Sequence, residues 1–344
     1  MNITLPDEYW EFAQTVSKWL AQRAGPDSLR RLWEKEATPE DLSRWASLAE
    51  LGVGSITLDQ SRNGAGLPLW GVMPVVEACG RAALPEPVTL VVSAILPVLY
   101  RMDDLPSEVD GILARIADGT AIASVQDGWD GTAPWAGESE LIVVIEDRSI
   151  SVCRGGKGNV EIIEGIDPAR RVGRVSSDSI IATSTSATIV ADFWARVRVA
   201  TAATLTGLSD AVLARAIEYA KVREQFNRPI GSFQAVQHLL VGAYSAWEFA
   251  YRYVWYAAWA VENLPEKSEE ISRRAKALAG DFSQQCGYAA FQVHGAIAYT
   301  WEYDLHLWLR RIQVESSHFG TSADHWRWLA ENSDVVAGEL TFAE

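Results

Sequence analysis

Apolar residues recur every three or four positions over long stretches at both ends of the chain, and short β-branched runs replace this pattern in the middle. The first pattern predicts amphipathic helices and the second predicts strands. Helices are predicted over Asp7–Arg23, Pro39–Leu51, Pro68–Ala83 and Val88–Tyr100, and again over Arg198–Glu224, Phe233–Val261, Lys267–Ala296 and Glu302–Ser316. Runs such as LIVVIED, SISVCR and NVEIIEG predict the strands. The expected fold is mainly α with a small central β domain (α+β), divided at 1–117, 118–192 and 193–344.

Composition narrows the classes of function. The chain has 344 residues, enough for two or three packed units, and its net charge of −15 argues against a nucleic-acid partner. Three cysteines lack CxxC spacing and five histidines lack metal-ligand spacing, so we expect no metal site and a reducing compartment. The N-terminus does not resemble a secretory signal, and no uncharged stretch reaches the ~18 residues that span a bilayer. The predicted location is the cytoplasm.

Aromatic residues are concentrated in the C-terminal helices, where Tyr244–Trp259 reads YSAWEFAYRYVWYAAW. An aromatic stripe at helical spacing is normally core or subunit contact. We therefore interpret this segment as packing and a helix–helix interface, not as a cofactor site.

A basic island interrupts the acidic chain at Tyr219–Gly231, where Lys221, Arg223 and Arg228 face only Glu224. The helical pattern breaks inside it at the sequence NRPIG, because Asn and Gly tolerate positive φ and Pro stops a helix. A guanidinium beside an aromatic side chain at a helix end is suited to a diphosphate with an attached ring system. The alternative is a solvated corner between two helices.

Two C-terminal segments resemble signatures of the acyl-CoA dehydrogenase family. The segment from Tyr219 to Gln237 matches YxxxRxxFGxxI–FQ, and the segment from Phe291 to Arg311 matches QxxGGxGY–E–RD. The family residues kept in them are Arg223, Phe226, Ile230, Gln234, Gln292, Gly295, Tyr299, Glu302 and Arg310. Departures from the signatures are Asn227, Ala296 and Ala298 at glycine positions and Arg311 at the aspartate position. The segments Glu50–Leu69 and Val75–Pro87 show a weaker likeness, and the middle of the chain shows little.

The resemblance implies a helical N-terminal domain, a β domain and a C-terminal four-helix bundle. It also implies FAD as the cofactor and an acyl-CoA as the substrate. In this family the signature residues retained here reach across a dimer interface to the ADP half of the neighbouring subunit's FAD. The cofactor-binding residues implied here are Arg223, Gln225, Phe226, Gln234, Gln292, Gly295 and Ala296. Arg198 is a weaker candidate for a CoA contact, and its alternative role is that of an ion-pair partner at a helix end.

The family's reaction needs a carboxylate that removes a proton while the flavin takes a hydride. One family position for it is the Glu of a YEGT loop, which corresponds here to His318-Phe319-Gly320-Thr321 and therefore to Phe319. The other family position for the carboxylate comes just before an Arg that lies 25 residues upstream of the pyrophosphate-binding Arg. Counting back from Arg223 gives Arg198, so this base position corresponds to Val197. Neither side chain accepts a proton, so we predict no catalytic residue in this chain.

The loop that faces the flavin in the family, of the form TEPxAGSD, is replaced here by Ser124–Val144. We interpret the change as deletion of the walls around the isoalloxazine ring and the acyl chain. The alternative is a member with short loops that still binds its own flavin.

These selective losses favour the non-catalytic subunit of a heteromeric acyl-CoA dehydrogenase. Enzymes of this family in steroid catabolism include two-plus-two heterotetramers with two FAD, so a paralogous catalytic chain is the expected partner and a steroid side-chain thioester a possible substrate. No residue here specifies a steroid. Three alternatives remain open: a homomeric dehydrogenase whose displaced base is Glu315, a flavin monooxygenase or oxidase, and a flavin-free structural or regulatory paralogue. Glu315 is expected to point into solvent or to pair with an Arg.

Overall fold

The structure, a computed structural model, describes residues 5–102 and 105–332. The outer ends of the first and last predicted domains, and positions 103 and 104, lie outside the described residues. A helical part, a small β part and a second helical part follow one another along the chain, as the hydrophobic pattern predicts.

The N-terminal part is helical. Its helices are α1 (Asp7–Arg23), α2 (Pro26–Trp33), α3 (Pro39–Leu42), α4 (Arg44–Glu50), α5 (Leu69–Arg81), α6 (Val88–Leu90), α7 (Leu96–Leu99) and α8 (Ser107–Ala117). A π-helical turn, Val91–Ile95, joins α6 to α7, so the predicted apolar helix at this place is nearly continuous. The short helix α2 and the helix α8 were not predicted from the pattern.

The central part contains one sheet of four strands and a second, smaller one. The strands are β1 (Ala123–Asp127), β2 (Leu141–Glu146), β3 (Ser149–Arg154), β4 (Val160–Ile162), β5 (Gly173–Val175) and β6 (Ile180–Ser184). The first sheet has the order β1-β2-β3-β6, with β1 parallel to β2 and the other pairs antiparallel. Strands β4 and β5 pair antiparallel beside it.

The C-terminal part is a bundle of long helices. They are α9 (Ala187–Val222), α10 (Gln234–Asn263), α11 (Ser268–His294), α12 (Leu305–Ser317) and α13 (Ser322–Asn332), with the two-residue strands β7 (Glu224–Gln225) and β8 (Arg228–Pro229) between α9 and α10. Helix α9 begins at Ala187 and not at Arg198, so its predicted start was too late. The cause is the β-branched, strand-like start of the helix, which packs against the sheet.

Helix α9 is the central element of the bundle and crosses α5 closely. A Cβ on Gly207 would lie 2.2 Å from the Glu77 carbonyl oxygen, and one on Gly80 would lie 2.3 Å from that of Thr204. Only glycine allows the two backbones to approach this closely. By length and hydropathy α9 is able to cross a membrane, but 89% of its apolar window is buried inside the protein.

Candidate functional site: an exposed hairpin and a closed base position

The hairpin of β7 and β8 presents a strained aromatic residue to solvent. Phe226 and Asn227 at its tip have φ of +54° and +61°, as in a type I′ turn. Phenylalanine is rarely found at positive φ, and such strain is concentrated at functional sites. The Phe226 side chain is nevertheless 87% exposed, so packing within the chain does not compensate the strain. Both features favour contact with another molecule.

The charges of the basic island have different partners. Lys221 Nζ donates to Glu218 Oε1 at 2.6 Å, and the Arg228 guanidinium lies 4.1 Å from the centre of the Phe233 ring. Arg223 is exposed, and its guanidinium has no hydrogen bond or ion pair with any other described residue. Its backbone is nevertheless fixed, because its N–H donates to Tyr219 and its carbonyl accepts from Ile230, both at 2.8 Å. The backbone is held while the guanidinium remains available to an anion.

The second signature segment forms an exposed turn at the end of α11. Gly295 adopts φ +65° and ψ −140°, a conformation almost restricted to glycine. Gln292 and Ala296 on either side of it are exposed, and Gln292 Nε2 donates to Tyr288 Oη at 3.2 Å. Tyr299, where the turn ends, is 78% exposed. A polar amide and an aromatic ring therefore face solvent together.

A buried aromatic contact joins the two segments. The ring of Tyr219, one turn before Arg223, stacks on His294 with centroids 4.5 Å apart. His294 Nε2 lies 2.8 Å from Tyr303 Oη, and its Nδ1 lies 2.7 Å from the Ala290 carbonyl. Burial lowers the pKa of His294, which favours the neutral ring. His294 is packed, and it holds the two segments side by side.

We refer to the predicted cofactor-binding residues as the hairpin surface. Its members are Arg223, Gln225, Phe226, Gln234, Gln292, Gly295 and Ala296, and all of them are exposed. Gln225 Nε2 donates to the Glu224 carbonyl at 2.8 Å. Gln234 has no side-chain hydrogen bond within the described chain, whereas Gln237 donates to the Gly231 carbonyl at 2.9 Å. Gln234 is thus available to a ligand, and Gln237 holds the turn.

An apolar face of α10 continues from this region. Ala250, Val254 and Trp255 are buried in the bundle, but Tyr244 is 49% exposed and Phe249 60% exposed. The aromatic stripe therefore has an inner, packed side and an outer, uncovered side. The outer side is open to solvent, and the subunit contact stays a prediction.

The two positions that carry the base in the family are buried and apolar. Val197 is fully buried in α9, and Phe319 is 1% exposed in the loop after α12. Phe319 stacks on His318, with centroids 3.9 Å apart, and meets Trp194 edge-on at 6.3 Å. Its φ of +59° is strained, but here the surrounding rings fill the space around it. No proton acceptor occupies either place.

Glu315, the displaced-base candidate, is held in a buried ion pair. Arg170 Nε lies 3.4 Å from Glu315 Oε1, and His318 Nδ1 lies 3.9 Å from Glu315 Oε2. Only 13% of the Glu315 side chain is exposed. Burial tends to raise the pKa of this carboxyl, but Arg170 and His318 outweigh it and lower the pKa to about 2. Of the two expected arrangements, pairing with an arginine is the correct one.

A buried lysine anchors the same loop. Lys276 Nζ donates to the carbonyls of Ser316 at 2.9 Å and of Gly320 at 3.1 Å. Burial lowers the pKa of Lys276 to about 8. Asp127, at the end of β1, is close enough to His318 for the two charges to interact, and burial raises its pKa. The loop is thus tied to the core from several sides.

The connection between β1 and β2 folds back onto the small sheet. Ala133 and Gly173 exchange backbone hydrogen bonds of 2.8 and 3.1 Å, and the backbone N–H of Trp135 donates to the Arg170 carbonyl at 2.8 Å. Trp135 is 2% exposed. These amides occupy the segment that lies along the flavin in the family, and here they bond within the chain.

The residues fit a flavin in one place and not in the other. At the base position, buried rings and the Arg170–Glu315 pair lie where the family has its carboxylate, and the backbone amides of the β1–β2 connection have partners within the chain, which argues against an isoalloxazine ring held by this chain alone. At the hairpin surface, an unpaired guanidinium and exposed amides fit the diphosphate side of a flavin nucleotide.

For Arg198 the structure decides only one of the two roles offered by the sequence, and the CoA contact stays a prediction. It lies inside α9, three turns from the start of the helix, and it is 3% exposed. No ion pair links it to another described residue, and its Nε is buried without a hydrogen bond. The role of ion-pair partner at a helix end is therefore wrong.

Sequence reasoning missed several residues around the closed position. Arg311, at the position of the family's aspartate, is buried, bonds to Asp167, and donates to the carbonyls of Ala83 at 2.9 Å and Leu84 at 2.8 Å. Arg170 was also missed. The partners of Arg170 and Arg311 are distant in the sequence. The only sequence feature that could have indicated these pairs is an arginine at a helical position that faces the core. Among the described residues no cluster of three or more His, Cys, Asp or Glu is arranged to hold a metal.

Comparisons with known proteins agree with these observations. The family models "Acyl-CoA dehydrogenase, N-terminal domain" and "Acyl-CoA dehydrogenase, C-terminal domain" match residues 6–102 and 188–333. The acyl-CoA dehydrogenase IpdE2 of Mycobacterium tuberculosis is 28% identical over 90% of this chain and 92% of its own length. The ChsE4–ChsE5 complex from the same organism has a TM-score of 0.83 at 19% identity, covering 98% of this chain and 100% of that chain. A variant of the Tcur3481–Tcur3483 steroid ACAD has a TM-score of 0.82 at 21% identity, covering 97% of this chain and 100% of that chain. The two family models together span more than half of the sequence, and the chain belongs to the acyl-CoA dehydrogenase family.

Proposed function

We propose that this chain is the non-catalytic subunit of a heteromeric, FAD-dependent acyl-CoA dehydrogenase that introduces an α,β double bond into a bulky acyl-CoA. FAD bound to the complex would supply the hydride acceptor. This chain would contribute Arg223, Gln292 and their neighbours to the diphosphate and adenine side of that FAD. The partner, a paralogous chain in a two-plus-two heterotetramer, would contribute the base and the walls around the isoalloxazine ring.

The contrast between Phe319 and Arg223 carries the proposal. A self-sufficient enzyme needs a carboxylate where Phe319 lies buried, whereas a subunit that acts on its neighbour needs only the exposed hairpin surface. An unpaired guanidinium at an interface is costly once it is desolvated, so its retention favours an anion supplied by the partner.

The solved neighbours support a heteromer and a bulky substrate. ChsE4–ChsE5 is a complex of two named chains, and Tcur3481–Tcur3483 is a steroid ACAD with two named chains. At about one fifth identity this likeness concerns the fold, so the steroid-type thioester is the substrate class that we propose to test first. The cytoplasm remains the predicted compartment.

The alternatives are less well supported. A carboxyl with a pKa of about 2, paired with Arg170, is a weak base and is not free to reach a substrate, which argues against Glu315 as a displaced base. An oxidase or monooxygenase also needs its own flavin pocket, and the backbone amides of the β1–β2 connection are already bonded within the chain. A flavin-free paralogue leaves the unpaired Arg223 without a reason.

The proposal is tested by expressing the full chain alone and together with a dehydrogenase-like chain from the same genome, chosen for an intact TEPxAGSD-type loop and a glutamate base. Alone, the chain should be nearly free of flavin and should not reduce a dye with any acyl-CoA. Together, the two chains should be yellow and should turn over a steroid side-chain CoA thioester. Stoichiometric flavin and turnover in the chain alone would overturn the proposal and favour the homomeric alternative.

A further inference from the structure

Glu77, on the inner side of α5, differs from the other buried carboxyls of the described chain. The others are Asp41, Glu86 and Asp167, and each pairs with an arginine. Glu77 is 7% exposed, and its Oε1 accepts a hydrogen bond from Trp255 Nε1 of α10 at 2.8 Å, but no cation among the described residues lies within ion-pair distance of it. A buried carboxylate with one donor and no cation is costly, so the site favours the neutral acid.

The titratable groups around this carboxyl do not supply the missing charge. Arg81, one turn later in α5, already pairs with Asp210 of α9. On α10, Tyr251 lies close enough for its charge to interact with that of Glu77, and burial raises the pKa of the Tyr251 phenol, which keeps it neutral. Burial raises the pKa of Glu77 to about 8, and the Trp255 hydrogen bond and Arg81 offset only part of this rise. The carboxyl therefore changes its charge close to neutral pH.

The helix that carries the carboxyl is fixed, whereas the side chains opposite it are close to solvent. A Cβ on Gly207 would lie 2.2 Å from the Glu77 carbonyl oxygen, so the backbones of α5 and α9 are in contact and α5 is not free to shift. On the other side Trp255 stacks on Trp10, with ring centroids 5.6 Å apart. Trp10 is 39% exposed, so this stack is the boundary between the carboxyl and water.

We propose that the Glu77–Trp255 contact is a pH-sensitive switch between α5 and α10. While the carboxyl is neutral, it packs beside the indole and α10 is held against α5. When the carboxyl ionises, it needs further hydrogen bonds, and the stack of Trp10 on Trp255 opens and admits the water that supplies them. Helix α10 begins at Gln234 of the hairpin surface, so the switch acts on the helix that carries this surface. The switch itself depends neither on flavin nor on a partner subunit.

The test is a titration of the purified, folded full chain from about pH 6 to about pH 9.5, followed by acrylamide quenching of tryptophan fluorescence. Quenching should increase in a step with its midpoint near pH 8, and Glu77→Gln should lack the step. The matched control is Glu248→Gln, which changes a carboxyl on the surface of α10 that pairs with Arg252 and should leave the step unchanged. A step that persists in Glu77→Gln, or no step in the unaltered chain, would overturn the proposal.

Trp255→Phe tests the contact from the other side. The variant keeps a ring but removes the indole donor, which stabilises the ionised carboxyl, so the midpoint should move to higher pH, with Trp10 among the tryptophans that report it. An unchanged or lower midpoint would contradict the assignment. If Glu77→Gln fails to fold, this comparison with the unaltered chain still decides it.

Unfolding equilibria give an independent measurement. The pKa of Glu77 in the folded chain, about 8, exceeds its ordinary value of 4.5, so the unfolded chain releases the proton first and stability falls as the pH rises. Relative to Glu77→Gln, the folded-to-unfolded ratio of the unaltered chain should fall about fifty- to a hundredfold from pH 5 to pH 7. From pH 7 to pH 9 it should fall only about tenfold more, because the folded carboxyl then ionises too. Urea denaturation of both chains measures the ratio, and a ratio independent of pH would contradict the switch.

Discussion

The closed base position around Phe319 and the hairpin surface differ in burial and in whether their main charged groups have partners within the chain. Around Phe319, Arg170 pairs with Glu315, Lys276 bonds to two carbonyls, and aromatic rings fill the remaining space. On the hairpin surface, Arg223 has no partner among the described residues and Phe226 is strained and exposed. Both regions match active-site segments of the same family.

The difference shows how loss and retention of a role can be distinguished physically. A region that no longer holds a ligand gains stability when its polar groups find partners within the chain and its voids are filled. A region that still meets a ligand keeps groups whose partners come from outside. The comparison predicts that substitutions at the closed position change folding stability, whereas substitutions at the hairpin surface change flavin binding.

The largest expected effect is on stability, at Glu315. Glu315→Ala leaves the buried Arg170 without its carboxylate, and removing one partner of a buried pair costs about 3–5 kcal/mol in free energy of unfolding. Urea denaturation at pH 7 measures it. The matched control is Glu108→Ala, whose Arg154 pair is half-exposed and contributes at most about 1 kcal/mol. Equal, small losses in both variants would show that the pair around Glu315 is not an effective part of the core.

Arg223 gives the next largest effect, on flavin affinity of the complex. Arg223→Ala should remove a charge-assisted contact that is partly desolvated at the interface, at a cost of about 2–5 kcal/mol, or roughly one and a half to three and a half decades in Kd. Flavin titration of the apo-complex measures it, and activity should return when FAD is added in excess.

Two further variants sharpen the Arg223 result. Arg223→Lys should recover only part of the affinity, because an ammonium keeps the charge but not the two parallel hydrogen bonds. Lys221→Ala removes a neighbouring charge that already pairs with Glu218 and should change Kd by less than about twofold. An unchanged Kd in Arg223→Ala would leave the solvated corner as the explanation of the basic island.

A smaller effect is the pH dependence of the stability that Glu315 contributes. Its pKa in the folded chain is about 2, below its ordinary value of 4.5, so the ionised form favours folding. The unfolding free energy of the unaltered chain should exceed that of Glu315→Gln by a constant amount above about pH 4.5. This difference should shrink as the pH falls toward about 2. Unfolding free energies of both chains at pH 7 and pH 3 check this. An advantage that is equal at the two pH values would show that the carboxylate charge is not its source.

The sequence was sufficient for the fold class and for most helices and strands. The assignment of the family's two base positions to Val197 and Phe319 stays a prediction, which depends on a long helix and a short motif keeping their register without gaps. The hairpin turn was predictable from Asn227 and Pro229, whose backbone preferences are local.

What the sequence did not predict depends on contacts between distant residues. The Arg170–Glu315 pair joins positions 145 residues apart along the chain, and no local pattern announces it. The same holds for Arg198. Its lack of an ion-pair partner among the described residues depends on elements that are distant from it in the sequence. The late predicted start of α9 has a local cause, because Thr188, Ile189 and Val190 favour a strand until packing decides otherwise.

The central claim is tested most directly by the ratio of FAD to protein chains in the purified complex. Each pair of different chains should contain one complete flavin pocket, because the reciprocal pocket is closed around Phe319. Flavin absorbance after denaturation, divided by protein from amino-acid analysis, should give one FAD for every two chains. A ratio of one FAD per chain would contradict the account, since it would mean that the closed position holds a flavin after all.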